Sequence, residues 1–217
     1  MHAVEREIVV LKPTPVFLSF LEAQRPDLDL PSLSALRADM TAYSIRRHET
    51  DEILLDEIER NYVLMFRHEI TRILGEINAQ DIQGSFLDFL CCFKFELHAQ
   101  VVVMESTLEA GQQVLCVKPK SVLLNWIKSK TEEKQTSADV LERVNLSHLT
   151  ENATVIVKNF NSTDEVGSFL RQYHHPIFKA EMFRLCDIST DWPSINAFED
   201  FDQYFDVDFH RELIHLN

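Results

Sequence analysis

The pair His68-Glu69 is the part of this chain that comes closest to a known catalytic motif. In the motif HExxH, two histidines one helical turn apart bind zinc, and the glutamate acts as the general base. Arg72 stands where the second histidine is required. None of the other histidines has a cysteine or aspartate at a matching ligand spacing. The sequence therefore predicts neither a metalloprotease site nor a bound metal.

Two short strings of charged residues are the candidates for a polar site. Residues 66–70 read FRHEI, and residues 209–213 read FHREL. If the strings meet at an internal symmetry axis, they form a polar seam between two halves of the chain. The simpler interpretation is local pairing along a helix, as between Glu69 and Arg72, which contributes a few tenths of a kcal/mol. The candidate seam residues are Arg67, His68, Glu69, His210, Arg211 and Glu212.

An acidic segment rich in aromatic residues lies near the C-terminal end. Between residues 198 and 209, carboxylates alternate with aromatic side chains at helical spacing. This pattern predicts an amphipathic helix that starts after Ser194, runs toward Leu216 and packs its aromatic face in the core. On an exposed helix the same pattern would dock a basic, apolar partner. Phe201 and Phe205 are therefore also candidate interaction residues.

The sequence gives little support to nucleophilic catalysis. A cysteine nucleophile needs a partly exposed thiol beside a histidine, and no serine lies in a GxSxG elbow. The four cysteines lie among apolar residues, which is typical of buried, reduced thiols in a cytoplasmic protein. They are Cys91, Cys92, Cys116 and Cys186.

Composition narrows the function further. The chain has four glycines among 217 residues and contains neither GxGxxG nor GxxxxGK[ST]. Nucleotide-binding loops of those types are excluded, and we expect no cofactor. Thirty-five acids against 21 bases give a net charge of −14, which disfavours direct contact with nucleic acid and favours a basic protein partner. Since we find no signal-peptide pattern and no apolar run long enough for a membrane span, we expect a cytoplasmic protein.

A repeated strand-turn-helix pattern is expected to position the candidate residues named above. It occurs at residues 8–21, returns at 115–127 and recurs more loosely at 155–170. A long helix is predicted from the N-cap Thr50 to Gly75, where a glycine typically ends a helix. Residues 85–92 are predicted as a helix, with a strand from Phe93 onward.

Other elements are predicted from weaker patterns. We expect a helical piece over 33–43, a hairpin of strands 101–105 and 114–117, and helices over 164–173 and 176–186, the latter with Pro176 at its first position. Residues 131–137, TEEKQTS, are predicted to be a mobile loop, and 138–144 a short helix.

These elements predict a single α+β domain over residues 1–217, with a small mixed or antiparallel sheet and helices packed on it. Pseudo-repeats at 7–75 and 153–217 would flank a central hairpin at 93–130.

The function that we expect is a non-catalytic protein-interaction role, such as an acidic adaptor, chaperone or accessory subunit of a bacterial-type cytoplasmic assembly. A homodimer is compatible with the two-fold arrangement of the pseudo-repeats. One alternative is an enzyme with a His/carboxylate site at the seam. Another is an acidic mimic of nucleic acid that inhibits a basic protein.

Overall fold

The computed structural model describes residues 2–3, 5–48, 50–133, 145–151, 153–186 and 189–216. These residues form helices packed on two mixed β-sheets, which confirms the predicted α+β class. In this part of the chain, no helix combines the length and the apolar character that crossing a bilayer requires.

The strands and helices have the following bounds. The strands are β1 (His2–Ala3), β2 (Arg6–Pro13), β3 (Ala42–Arg46), β4 (Phe93–His98), β5 (Val101–Val103), β6 (Gln113–Pro119), β7 (Val155–Lys158), β8 (Phe205–His210) and β9 (Leu213–His215). The helices are α1 (Pro15–Gln24), α2 (Leu33–Ala38), α3 (Asp51–Leu74), α4 (Glu76–Ala79), α5 (Phe86–Cys92), α6 (Ser121–Glu133), α7 (Leu146–Thr150), α8 (Thr163–Leu185) and α9 (Phe198–Tyr204).

The two sheets pack against each other, and each carries helices on its other face. The strand order is β1-β5-β7-β6-β8 in the five-stranded sheet and β4-β2-β3-β9 in the four-stranded sheet. Alternate residues of β2 point to opposite faces. Val9 and Leu11 therefore join the core beneath α1, α3 and α5, while Ile8 and Val10 join a separate core between the sheets. A third core lies between the five-stranded sheet and helices α6, α8 and α9.

The strongest local predictions are confirmed. The Thr50 side chain accepts a hydrogen bond from the Ile53 amide, and Gly75 ends α3 with a φ of 75°. Ser85 and Asp88 form a capping box at the start of α5, which satisfies two amide groups that a helix start otherwise leaves unpaired. The change from helix to strand falls at Phe93, as predicted.

The chain contains two successions of elements with the same strand pairing. In the first unit (β2 to β5), β2 pairs with β3 and β4; in the second unit (β6 to β9), β6 pairs with β7 and β8, all antiparallel. The last strand of each unit crosses to the other sheet. β5 pairs in parallel with β7, and β9 pairs in parallel with β3. The two units therefore exchange their last strands.

The registers of the two units also correspond. Pro13 pairs with Phe93 as Pro119 pairs with Phe205, and Ile8 pairs with His98 as Val114 pairs with His210. One sequence pattern recurs at the same spacing: Phe86, Asp88, Phe89, Phe93 and His98 in the first unit, and Phe198, Asp200, Phe201, Phe205 and His210 in the second. The strand pairing and this pattern thus correspond between residues 6–103 and 113–215, whereas the repeats predicted from the sequence were 7–75 and 153–217.

Two predictions for the part of the chain after residue 100 are wrong. β5 and β6 lie in one sheet but β7 separates them, so they form no hairpin. The C-terminal helix does not reach Leu216, because it ends at Tyr204 and the chain continues as β8 and β9. After Tyr204 the sequence FDVDFH alternates apolar and polar residues with the period of a strand.

Two predicted helices also have different limits. The piece expected over 33–43 stops at Ala38, and the buried residues that follow form β3 between β2 and β9. Pro176 does not begin a helix, since α8 runs through it from Thr163 to Leu185. The buried face of α8 continues on both sides of the proline and outweighs the missing amide hydrogen bond. Helix α6 extends into the predicted loop, whose remainder, with the predicted helix 138–144, lies outside the described residues.

Candidate functional site

A charged cluster occupies one end of the space between the two sheets. On β4, Phe93, Phe95 and Leu97 pack beneath the helices. The intervening residues, which include Glu96 and His98, therefore point toward the other sheet. The matching positions on β8 are Asp208 and His210.

Four side chains form a continuous chain of ion pairs. Glu96 Oε1 lies 3.3 Å from Lys12 Nζ, and Glu96 Oε2 lies 2.6 Å from Lys118 Nζ. Lys118 Nζ also lies 2.7 Å from Asp208 Oδ2. The Lys118–Glu96 contact joins the second unit to the first.

The surroundings keep the central pair of this cluster charged. Burial opposes ionisation of Glu96, but Lys118 and then Lys12 outweigh it and lower its pKa. Burial likewise opposes the charge on Lys118, but Glu96 and Asp208 outweigh it and raise its pKa. At neutral pH Glu96 is therefore a carboxylate and Lys118 an ammonium, and the ion pair between them links the two sheets.

Two buried histidines lie at the inner end of the charged cluster. His98 Nδ1 lies 3.1 Å from the Ala153 carbonyl, and His210 Nδ1 lies 2.9 Å from the Met40 carbonyl. A carbonyl only accepts, so each Nδ1 carries the hydrogen. Burial lowers the pKa of His98 to about 4 and also lowers the pKa of His210. Within the described residues, neither Nε2 has a hydrogen-bond partner, and no three His, Cys, Asp or Glu side chains are grouped as metal ligands.

Part of the predicted seam forms a second polar network. The Tyr43 hydroxyl donates to Glu69 Oε1 over 2.9 Å and lies 3.1 Å from His68 Nδ1. Glu69 Oε2 accepts from Arg72 Nη2 over 2.8 Å. His68 Nε2 lies 3.6 Å from Glu212 Oε2, so the structure does bring these two predicted residues together.

This network keeps Tyr43 neutral and Glu69 charged. Burial and the neighbouring Glu69 raise the pKa of Tyr43 well above its ordinary value. Burial opposes ionisation of Glu69, but His68 and Arg72 outweigh it and lower its pKa. A protonated phenol that donates to a carboxylate is a stable arrangement, because both groups are fully hydrogen-bonded.

The other predicted seam residues lie apart. His210 is buried against Met40, Arg211 is exposed near Asp39, and Arg67 is exposed on α3. The two strings are not equivalent, since 66–70 belongs to a helix and 209–213 spans a strand, a turn and the next strand.

The structural counterpart of Glu69 is Glu181 on α8. Each is fully buried and pairs with an arginine three residues later, Arg72 or Arg184. The second unit has Ile156 where the first has Tyr43, and Ala180 where the first has His68. The contacts of Tyr43 and His68 therefore have no equivalent around Glu181.

Phe201 and Phe205 do not form a docking surface. Each is 1% exposed and packs in the core beneath the helices of the second unit. Their rings lie 5.2 Å apart in a stacked arrangement.

The exposed surface of α3 carries several large apolar side chains. Leu54, Ile58 and Met65 pack inward. Ile53, Leu55, Val63 and Leu64 are 43–64% exposed around the rest of the helix, with Leu55 and Leu64 on opposite flanks. The acids Glu52, Asp56 and Glu59 are exposed among them, and so are the cations Arg60 and Arg67. We call the four apolar residues and the three acids the α3 outer face.

Sequence reasoning missed Lys12, Glu96, Lys118 and His98 as members of a cluster. Their contacts depend on how two sheets stack, which local patterns do not encode. The available signal was the recurring pattern from Phe86 to His98 and from Phe198 to His210, because two equally spaced copies place both histidines at equivalent positions.

Comparison of the chain with models of protein families, with curated proteins and with solved structures gave no match.

Proposed function

We propose that the protein is a non-catalytic interaction protein whose α3 outer face binds a basic protein segment that also carries apolar side chains. The observation that supports this most directly is the exposure of four large apolar side chains on one helix, with three acids among them. Large apolar side chains exposed on one helix are a feature of protein-binding surfaces.

Charge supports a basic partner rather than a second copy of this chain. The net charge is −14, which accelerates the approach of a basic protein and repels an acidic one. A partner with Lys or Arg beside its apolar anchors would pair with the acids Glu52, Asp56 and Glu59.

The charged cluster between the sheets supports a structural rather than an enzymatic role. Lys12, Glu96, Lys118 and Asp208 pair with one another, so these carboxylates serve as ion-pair partners that join the sheets. The α3 outer face also differs from a mimic of nucleic acid, since a row of phosphates has no counterpart for its apolar side chains.

Affinity purification followed by quantitative binding tests this function. A captured partner should bind the variant Leu55→Ser/Leu64→Ser at least about tenfold more weakly, because two apolar anchors are lost. The variant Asp56→Lys/Glu59→Lys should slow association and remove much of its salt dependence. The control Ile77→Ser/Val122→Ser alters exposed apolar residues elsewhere and should bind normally. Equal binding by the α3 variants and the wild type would exclude this face as the docking site.

A further inference from the structure

A pocket of about 270 Å³ lies where the second half of α3 meets the segment from α4 to Gly84. This volume approaches the lower end of the range for small-molecule sites. α4 and the residues after it lie over α3 here, so this part of the helix forms the base of a concave surface.

The floor of the pocket is apolar and well packed. Phe66, Ile70 and Ile82 line it and are 2–7% exposed. Phe66 packs against Phe89, with ring centroids 5.6 Å apart. Tyr62 forms one side of the pocket and packs against Phe86 at 5.3 Å. Floor and side are therefore held in position by neighbouring aromatic rings rather than by solvent-exposed loops.

Gly84 contributes bare main chain to the wall. A methyl group built at this position would overlap the ring of Phe66. The glycine is thus required by close approach of the backbone to an aromatic ring, and not by a left-handed conformation. One side of the pocket consequently presents peptide groups without an obstructing side chain.

Three polar side chains stand at the rim without internal partners. Arg67, Gln80 and Gln83 line the pocket and are exposed. Within the described part of the chain, none of the three makes a hydrogen bond or ion pair to another side chain or carbonyl. Asp81 lies between the two glutamines in sequence, yet it neither lines the pocket nor pairs with Arg67. One guanidinium and two amides are therefore free to bind a ligand.

We propose that this pocket binds a small carboxylate with an aromatic body. The ring would lie beside Tyr62 and Val63, above the buried floor. The carboxylate would accept two hydrogen bonds from Arg67, and the glutamine amides would bind the remaining lone pairs. Arg67 supplies the planar pair of donors that a carboxylate fits. The pocket adjoins the α3 outer face at Val63, but ligand binding does not require the partner-binding role.

The test uses two fluorinated probes that differ only in charge. Binding of 4-fluorophenylacetate and of the neutral 4-fluorophenylacetamide to the full chain is followed by ¹⁹F NMR. The carboxylate should bind saturably with a dissociation constant at or below about 1 mM. The amide should bind about tenfold more weakly, since it loses the charge-assisted pair of hydrogen bonds.

Two variants locate the site. Arg67→Gln should weaken carboxylate binding about tenfold and remove the preference for it. Gln83→Trp should fill the pocket and weaken both probes. Lys179→Gln is the matched control, because Lys179 is an exposed cation that follows Phe178 as Arg67 follows Phe66. All three positions are exposed, so the melting temperatures should equal that of the wild type. Equal affinity for both probes, unchanged binding by Arg67→Gln, or no saturation up to about 10 mM would overturn the proposal.

Discussion

His98 and His210 occupy equivalent positions on β4 and β8, and each imidazole binds a main-chain carbonyl of the other unit. His98 reaches Ala153, just before β7, and His210 reaches Met40, just before β3. The two hydrogen bonds are therefore reciprocal, and each requires the two units to be packed together. Both imidazoles are neutral, and their Nε2 atoms have no partner within the described residues.

The histidine pair predicts that stability falls on mild acidification. Burial lowers the pKa of His98 to about 4 in the folded protein, whereas the unfolded chain takes up this proton near pH 6.5. Since the unfolded state binds the proton first, the free energy of unfolding should fall as pH drops from about 6.5 to 4, by on the order of 3 kcal/mol for His98. The lowered pKa of His210 acts in the same direction. Urea unfolding between pH 7 and pH 4 measures this loss.

Substitution isolates the contribution of the histidine. His98→Asn keeps a donor for the Ala153 carbonyl but cannot take up a proton, so its stability should vary less between pH 7 and pH 4. The exposed His175 provides the control, and His175→Asn should follow the wild-type curve. An unaltered pH dependence in His98→Asn would show that other groups cause the loss.

Each buried Glu–Arg pair should behave as a unit. Arg72→Met leaves the fully buried Glu69 without its cation and should cost about 3–5 kcal/mol, as should Arg184→Met beside Glu181. Adding Glu69→Met or Glu181→Met removes the unpaired charge and should recover part of that loss. Chemical denaturation of each single and double variant gives the coupling energy. A coupling near zero would mean that the charges act independently.

The aromatic cores should depend equally on Phe66 and Phe178. These residues occupy equivalent places on α3 and α8 and are 3% and 4% exposed. Truncation of either to alanine should cost about 3–5 kcal/mol, out of a total of about 5–15 kcal/mol for a protein of this size. Phe209 is half-buried on β8, so Phe209→Ala should cost clearly less. Thermal melts that ranked Phe209→Ala with the other two variants would contradict this assignment of the core.

The cysteines should differ widely in reactivity. All four are free, with Cys91 exposed and Cys92 and Cys116 buried. Burial raises the pKa of Cys92 to about 12 and that of Cys116 still further, and only the thiolate reacts with iodoacetamide. Peptide mapping after brief alkylation at pH 8 should find Cys91 modified first and Cys116 last. Equally rapid labelling of Cys116 under native conditions would show that the space between the sheets opens.

Local chemistry explains which elements could be predicted from the sequence. Thr50 and Gly75 mark the two ends of α3 because a hydroxyl can cap the first turn and a glycine can adopt a φ of 75°. The hydrophobic period changes from helix to strand at Phe93, and the structure changes there as well. In each case the signal lies within a few residues of the boundary.

The elements that were missed depend on distant partners. β3 is five residues long, and it is a strand because β2 and β9 pair with it from both sides. The predicted hairpin failed because β7, far along the chain, lies between β5 and β6. The candidate site shows the same limit, since Glu96 and Lys118 are brought together only by stacking of the two sheets.

Because the two units exchange their last strands, the four-stranded sheet can be completed only late in synthesis on the ribosome. β3 emerges early, but the strand that covers its free edge is β9, which is translated after every other described strand. Until then the nascent first unit presents the unpaired N–H and C=O groups of β3, an arrangement that invites aggregation or the binding of a chaperone. Completion of the four-stranded sheet therefore waits until β9 has been synthesised, however early its first three strands are made.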